Sequence, residues 1–183
     1  MAKTQPKLAR EEKKQAGSAK ESPIARGEEF LLQIRRHYPV ARERVFMAWA
    51  DPAQLEQWMC RDQDHHVITH HEQTIRTGGR WRMEVRDPRK NEVYWGQGEY
   101  LEVRPPERIV FSWLWTKEVA GAVDSTPDVK NPLTEVTVEF FEKGGGTELI
   151  LTHRGLPSQK SRSEHEEGWK GCLREMEKLF GQG

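Results

Sequence analysis

Two histidines in the last third of the chain have the side chain best suited to moving a proton. His153 ends an alternating apolar stretch, and His165 lies four residues before Trp169 in a helical pattern. Imidazole is the side chain whose ordinary pKa lies closest to neutral pH, and a carboxylate such as Glu164 or Glu166 would tune it. His153 and His165 are therefore candidate acid/base residues. The alternative is that each packs against or caps the end of its own element.

Four further histidines, His65, His66, His70 and His71, stand in one short stretch. If this stretch is a strand, His66 and His70 share one face, and His65 and His71 share the other. Imidazoles four residues apart on a strand are separated by roughly 13 Å. One zinc ion needs its ligands at about 2 Å. The strand alone therefore predicts no metal site, and we expect these histidines to be exposed to solvent.

The chain is also rich in tryptophan, with seven residues of this type. Indole offers a large flat apolar face and one N–H donor, a combination that suits flat hydrophobic ligands. The alternative is that these side chains only fill the core. The residues predicted to line a ligand cavity are Trp49, Trp58, Trp81, Met83, Phe111, Trp113, Trp115, Trp169 and Leu173.

The elements that must position these side chains begin at Phe30, where FLLQIRRHY reads as a strand. Two short helices follow. In the second helix Asp51 is the expected N-cap, Pro52 the first helical residue and Gln54 the partner in a capping box. About six consecutive strands come next, among them RWRMEVR, whose apolar and charged residues alternate.

The last element is a helix from about Ser161 to Phe180, with its apolar residues in one stripe. Gly168 and Gly171 interrupt that helix, and we expect them to allow close approach to the sheet. The two glycines of the strand EVYWGQGEYLEV predict a bulge or a bend. Residues 117–132 lack periodicity and are predicted to form a long loop.

This order of elements predicts the fold class. A six- or seven-stranded antiparallel sheet must curl to bury one face, and only the last helix is long enough to cover it. The fold is therefore α+β: a curved antiparallel sheet of six to seven strands wrapped around a long C-terminal helix, with two short helices after the first strand. Such a sheet leaves an internal cavity between itself and the helix.

Composition and charge narrow the classes of partner. Lys and Arg total 29 and so do Asp and Glu, which gives a net charge of zero and a pI near 7.1. This balance argues against a nucleic-acid or membrane-surface binder. We find no apolar run long enough to span a membrane and no signal-peptide pattern, so we expect a cytoplasmic protein. Two cysteines, Cys60 and Cys172, are too few for a disulfide framework or a metal cluster.

The chain divides into a tail and a domain. Residues 1–26 carry seven Lys and Arg against three Asp and Glu and have few large apolar side chains. Such a segment cannot bury enough surface to order itself, so we predict a disordered charged tail. Residues 27–183 are the predicted ligand-binding domain.

Five motifs, in this order, resemble a known superfamily. It includes the START lipid-transfer domains, the birch-pollen allergen and the polyketide cyclases (SRPBCC), and the branch most similar here is that of the activator of the heat-shock-protein-90 ATPase. The resemblance covers about residues 30–180 and implies the helix-grip fold. The motifs are VARERVFMAWADPAQLEQWM (40–59), GGRWRMEV (78–85), GEYLEVRPPERIVFSW (98–113), TEVTVEFFEKGGGTELILTHRGLP (134–157) and HEEGWKGCLREMEKLF (165–180).

Three functions follow as hypotheses. The first is a binding or carrier domain for a small hydrophobic or aromatic ligand, without covalent chemistry. The second is an enzyme of the cyclase, isomerase or dehydratase type, in which His153 or His165 moves a proton. The third, implied by the resemblance, is a co-chaperone-like protein with a chaperone partner. We expect no metal and no cofactor.

Overall fold

The computed structural model describes residues 30–60, 66–89, 92–119, 122–123 and 132–181. The predicted tail, the domain boundary near residue 27 and His65 lie outside these ranges and stay predictions. Within the described ranges, no helix is both long enough and apolar enough to cross a bilayer.

The described chain forms eight strands and three helices. The strands are β1 (Phe30–Tyr38), β2 (Val67–Gln73), β3 (Arg80–Asp87), β4 (Glu92–Arg104), β5 (Arg108–Val119), β6 (Ala122–Val123), β7 (Thr134–Lys143) and β8 (Gly146–Leu156). The helices are α1 (Arg42–Ala50), α2 (Pro52–Leu55) and α3 (Gln159–Lys178). The prediction of a loop over 117–132 is wrong at its start, because β5 continues to Val119 and pairs with β6.

One antiparallel sheet carries the fold, in the order β1-β8-β7-β5-β4-β3-β2, with β6 paired to β5. The sheet curves around α3, and α1 and α2 follow the first strand, so the predicted helix-grip architecture is confirmed. The inner face of β3 shows why the sheet forms. Trp81, Met83 and Val85 are buried, whereas the side chains between them are more exposed.

The junction between α1 and α2 confirms the predicted cap. The Asp51 side chain accepts a hydrogen bond from the backbone N–H of Ala53 at 3.0 Å, and Pro52 begins the helix. The Gln54 side chain does not reach back to the backbone of Asp51, as a capping box would require. It donates to the Asp51 carboxylate at 2.9 Å, while the Asp51 backbone N–H donates to Met47 O. One aspartate thus joins the two helices.

A bulge in β2 overturns the predicted facing of its histidines. Ile68 pairs with Val85 and His70 with Glu84, so Thr69 is the extra residue and the alternation shifts by one. A bulge of this kind turns every later side chain of the strand to the opposite face. His70 stays exposed, whereas the side chain of His71 is only 2% exposed and points into the grip. The expectation that His71 is solvent-exposed is therefore wrong.

The glycines of β4 do not mark a bulge, which lies further on, between Tyr100 and Glu102. They mark close approach. A Cβ at Gly98 would lie 1.8 Å from the carbonyl oxygen of Ser112 on β5. The same carbonyl accepts the indole N–H of Trp81 at 3.2 Å. Gly98 therefore lets β4 and Trp81 approach the backbone of β5.

Helix α3 covers the concave face of the sheet. Its buried side chains are Trp169, Cys172, Leu173 and Met176, all of them members of the predicted apolar stripe. The fifth member, Phe180, lies past the end of the helix and is only partly buried. Tyr38 on β1 donates to the carbonyl of Leu173 at 3.1 Å and ties the helix to the sheet. The predicted close approach at Gly168 is wrong, because nothing lies within 4 Å of a Cβ built there.

Candidate functional site

A cluster of indole rings fills the space between the sheet and α3. The ring centroids of Trp49 and Trp58 lie 4.7 Å apart, those of Trp81 and Trp113 also 4.7 Å. Trp169 on α3 lies between the two pairs, 5.9 Å from Trp49 and 5.4 Å from Trp113. These edge-to-face and tilted contacts are the arrangements that aromatic quadrupoles favour. The sequence-predicted tryptophans therefore meet in one place.

Two cavities adjoin this cluster, and Trp113 lines both. The inner cavity measures about 20 Å³, which is room for about one water molecule. The outer cavity, at the mouth of the grip, measures about 300 Å³. The inner lining is Trp49, Leu55, Met59, His71, Gln73, Trp81, Met83, Tyr100, Ile109, Phe111 and Trp113. The outer lining is Trp113, Trp115, Pro132, Thr134, Leu156, Pro157, Ser158, Lys160, Ser161, Glu164 and His165.

The predicted ligand residues divide between these positions. Most of them line the inner cavity, and Trp115 lines the outer one. The residues that line neither are Trp58, Trp169 and Leu173. Trp58 is fully buried and donates its indole N–H to the carbonyl of Ala48 at 2.9 Å. Trp58 and Leu173 are thus core residues beneath the site.

His153 is fully buried and lies in a hydrogen-bonded chain of fixed direction. The indole N–H of Trp169 donates to His153 Nδ1 at 3.2 Å, so the ring proton resides on Nε2. Nε2 donates to Thr134 Oγ1 at 2.8 Å, and that hydroxyl donates to the carbonyl of Trp113 at 2.9 Å. Burial holds the pKa of His153 well below its ordinary value, and His165 lowers it further. Both nitrogens of His153 are therefore engaged in a neutral ring.

His165 differs because it lines the outer cavity. Its Nδ1 lies 2.8 Å from the carbonyl of Ser161, one turn earlier in α3, so Nδ1 carries the proton. Burial lowers the pKa of His165, while the Ser161 carbonyl and Glu164 oppose that shift. Its ring meets that of His153 edge-on, with centroids 4.9 Å apart. The two predicted histidines thus come together, with His165 on the open side.

Three polar residues of the inner cavity are absent from the predicted site: His71, Gln73 and Tyr100. Tyr100 donates to the side-chain oxygen of Gln73 at 2.5 Å, and the amide of Gln73 donates to the carbonyl of Ala50 at 3.0 Å. Burial lowers the pKa of His71, against an opposing effect of Glu56. His71 faces the cavity because of the bulge in β2, which arises in the pairing of β2 with β3. Simple alternation of side chains along the sequence does not predict such a bulge.

No group of three or more His, Cys, Asp and Glu side chains that could hold a metal ion occurs within the described residues. His66, just before β2, and His70 within β2 face separate carboxylates. His66 lies 3.5 Å from Asp87, and His70 lies 3.1 Å from Glu72.

Solved structures of similar shape come from several bacteria. Protein CV1439 from Chromobacterium violaceum is 22% identical, with a TM-score of 0.69 over 84% of this chain and 99% of that one. CalU16 from Micromonospora echinospora is 23% identical, with a TM-score of 0.60 over 85% of this chain and 79% of that one. At such identities the similarity bears on the fold alone.

The AHSA1 protein from Silicibacter pomeroyi is 25% identical, with a TM-score of 0.65 over 82% of this chain and 96% of that one. Among curated proteins, none matches the chain. Residues 39–181, almost the whole described domain, match the family described as "Activator of Hsp90 ATPase homolog 1-like protein". The chain belongs to that family.

Proposed function

We propose that this domain binds one small, flat, mostly apolar molecule between the curved sheet and α3. The observation that carries the proposal is the cavity of about 300 Å³ at the mouth of the grip, which shares Trp113 with the aromatic cluster inside. Ligand cavities begin at about this volume, and they combine apolar walls with a few well-placed polar groups.

The walls of the outer cavity support a flat ligand. Trp113 and Trp115 have ring centroids 5.2 Å apart and form an indole corner, with Pro132 and Leu156 as further apolar lining. The polar part of the lining comprises Thr134, Ser158, Lys160, Ser161, Glu164 and His165. An aromatic ligand would gain stacking contacts with the indoles, worth about 0.5–1.5 kcal/mol for each ring pair beyond the buried area.

The size of the inner cavity limits how far into the domain a ligand can reach. At about 20 Å³ it cannot hold an organic molecule while the indoles stay where they are. Trp113 is the shared wall, so a ligand that displaces this ring from the outer side reaches the inner residues. We therefore propose that binding opens the aromatic cluster.

Native mass spectrometry of freshly purified protein, compared with the denatured chain, is the first test. A bound molecule would add a reproducible mass that disappears on unfolding. Titration with fluorene, a flat tricyclic hydrocarbon, followed by tryptophan fluorescence, then tests the site directly. The proposal fails if no extra mass is found and fluorene produces no saturable change.

Substitution at Trp115 locates the ligand. We expect Trp115→Ala to weaken fluorene binding about tenfold, because one stacking contact of about 1.4 kcal/mol is lost. The matched control is Trp95→Ala. Trp95 lies on the opposite face of the sheet, across from Glu84 and beneath the Arg82 guanidinium at 3.9 Å. Equal affinities of wild type and Trp115→Ala would exclude the outer cavity.

The acid/base role of His153 and His165 stays a prediction. The geometry favours His165 over His153, because only His165 lines the outer cavity, with its proton held on Nδ1. Nε2 would then be the basic nitrogen that takes the proton from the carbon next to the ligand's carbonyl and returns it to the departing hydroxyl, so that water leaves as the double bond forms. Turnover of a β-hydroxyketone to the enone by wild type, lost in His165→Gln, would support the enzyme alternative; no turnover by wild type would count against it.

A further inference from the structure

We propose that the ligand is a neutral flat ketone or quinone, whose carbonyl oxygen accepts hydrogen bonds from the indole N–H groups of Trp113 and Trp49. This inference rests on the proposed function, since it names the chemistry of the molecule that enters the grip. It follows from polar atoms that the fold buries without a partner.

The indole nitrogens of Trp49 and Trp113 are buried and have no hydrogen-bond partner within the described structure. The two residues are only 3% and 5% exposed, and both line the inner cavity. A buried donor without an acceptor costs about 1–3 kcal/mol. Two such donors in the lining of one cavity therefore carry a free-energy cost that a ligand with a hydrogen-bond acceptor would remove.

Neighbouring tryptophans show that this fold does supply acceptors to indoles. Trp58 donates to the carbonyl of Ala48 at 2.9 Å, Trp81 to the carbonyl of Ser112 at 3.2 Å, and Trp169 to His153 Nδ1 at 3.2 Å. Trp81 lines the same inner cavity as the two unpartnered indoles. Among the three indoles of the inner lining, Trp49 and Trp113 therefore lack a partner and Trp81 has one; Trp95, on the outer face of the sheet, also has a buried indole nitrogen without a partner.

A third buried polar atom without a partner belongs to His71, which lines the same cavity. His71 Nδ1 is buried without a hydrogen bond, and the nearest carboxylate oxygen, Glu56 Oε1, lies 3.7 Å away. That separation exceeds hydrogen-bonding distance. The aromatic lining of the inner cavity therefore includes three residues with a buried polar atom that lacks a partner: Trp49, Trp113 and His71.

These atoms restrict the class of ligand. An indole N–H can only donate, so its complement is an acceptor, and a pure hydrocarbon would leave both donors unpaired. The inner lining contains no Lys and no Arg, so a carboxylate would be buried without a counter-charge, at a high free-energy cost. A carbonyl oxygen accepts two hydrogen bonds and carries no net charge. A single trapped water is the competing occupant, and it would give no preference among ligands.

The test compares two molecules of the same shape, fluorene and 9-fluorenone, which differ by one carbonyl oxygen. We expect wild type to bind fluorenone at least about tenfold more tightly, although water solvates the carbonyl better than the hydrocarbon. Trp49→Phe and Trp113→Phe keep a ring but remove the donor, and each should reduce the preference. Trp95→Phe is the matched control, because it also removes an unpartnered indole donor but lies on the outer face of the sheet and lines neither cavity, and it should keep the preference.

A second readout needs no variant. In ¹⁵N-labelled wild type, the indole N–H resonances of Trp49 and Trp113 should move downfield with fluorenone and not with fluorene, whereas that of Trp81 should not. Equal affinity for the two probes, with unmoved indole resonances, overturns the inference and leaves the proposed function standing. A preference that survives in the Trp49→Phe, Trp113→Phe double variant also overturns it. Binding of neither probe overturns the inference, and together with no extra mass in native mass spectrometry it overturns the proposed function as well.

Discussion

His153 links the helix, the sheet and the tryptophan cluster through hydrogen bonds of a single direction. Trp169 donates to it, it donates to Thr134, and Thr134 donates to the carbonyl of Trp113. The chain works only while the ring is neutral, because a proton on Nδ1 would displace the Trp169 donor. Burial, which lowers the pKa of His153, acts in the same sense. Stability of the domain should therefore depend on pH.

The direction of that dependence follows from the lowered pKa. The unfolded histidine takes up a proton near pH 6.5, whereas the folded one takes it up only at lower pH. Stability is thus complete above about pH 6.5 and falls as the pH drops below it, by up to about 1.4 kcal/mol per pH unit for one such histidine. His71 and His165, whose pKa values are also lowered, add to the same slope.

Urea unfolding between pH 5 and pH 8 measures this dependence of the free energy of unfolding on pH. We expect His153→Gln to reduce the slope of stability against pH in the acid range, while the slope from the other two histidines remains. His70→Gln is the control, since its side chain is 49% exposed and it makes no buried hydrogen bond. An unchanged slope in His153→Gln would contradict the neutral, buried state.

At the scale of the elements, a prediction from the sequence was correct where the pattern behind it lies within one short stretch of chain. The alternation in β3, the apolar stripe of α3 and the Asp51 cap are set by residues close in sequence, and all were predictable. The facing of His71 and the role of Gly98 were not. The first depends on a bulge created by pairing with β3, the second on the carbonyl of Ser112 on the next strand. In the candidate site, five of the predicted residues line the inner cavity and Trp115 lines the outer one, whereas the inner polar residues His71, Gln73 and Tyr100 were not predicted.

Two glycines provide a matched pair of element-scale substitutions. Gly98→Ala should destabilise the domain by about 3 kcal/mol, because its Cβ would overlap the Ser112 carbonyl and force β4 away from β5. Gly168→Ala should stabilise it by about 0.5–1 kcal/mol, because an exposed helix position gains the propensity of Ala at no steric cost. Denaturant titration measures both. A neutral Gly98→Ala or a destabilised Gly168→Ala would contradict the respective packing.

At the scale of the whole molecule, the architecture does not determine which ligand is bound. Relatives at 22–25% identity share the curved sheet and the covering helix, and the family match extends over residues 39–181. A shared scaffold does not transmit a ligand, because function resides in the side chains that line the site. In this chain the proposed ligand contacts are the unpartnered indoles of the inner cavity, His71 and the corner of Trp113 and Trp115.

The wall that Trp113 forms between the two cavities has a kinetic consequence. If a ligand reaches the inner residues only after this ring moves, association has two steps, and the movement of the protein sets a ceiling on the observed rate. In stopped-flow mixing, that rate would level off as the ligand concentration rises, instead of increasing in proportion to it. A smaller side chain at position 113 would raise this maximum rate of association, even where it weakens the equilibrium affinity. Trp113 would thus determine how fast the ligand binds as well as how tightly.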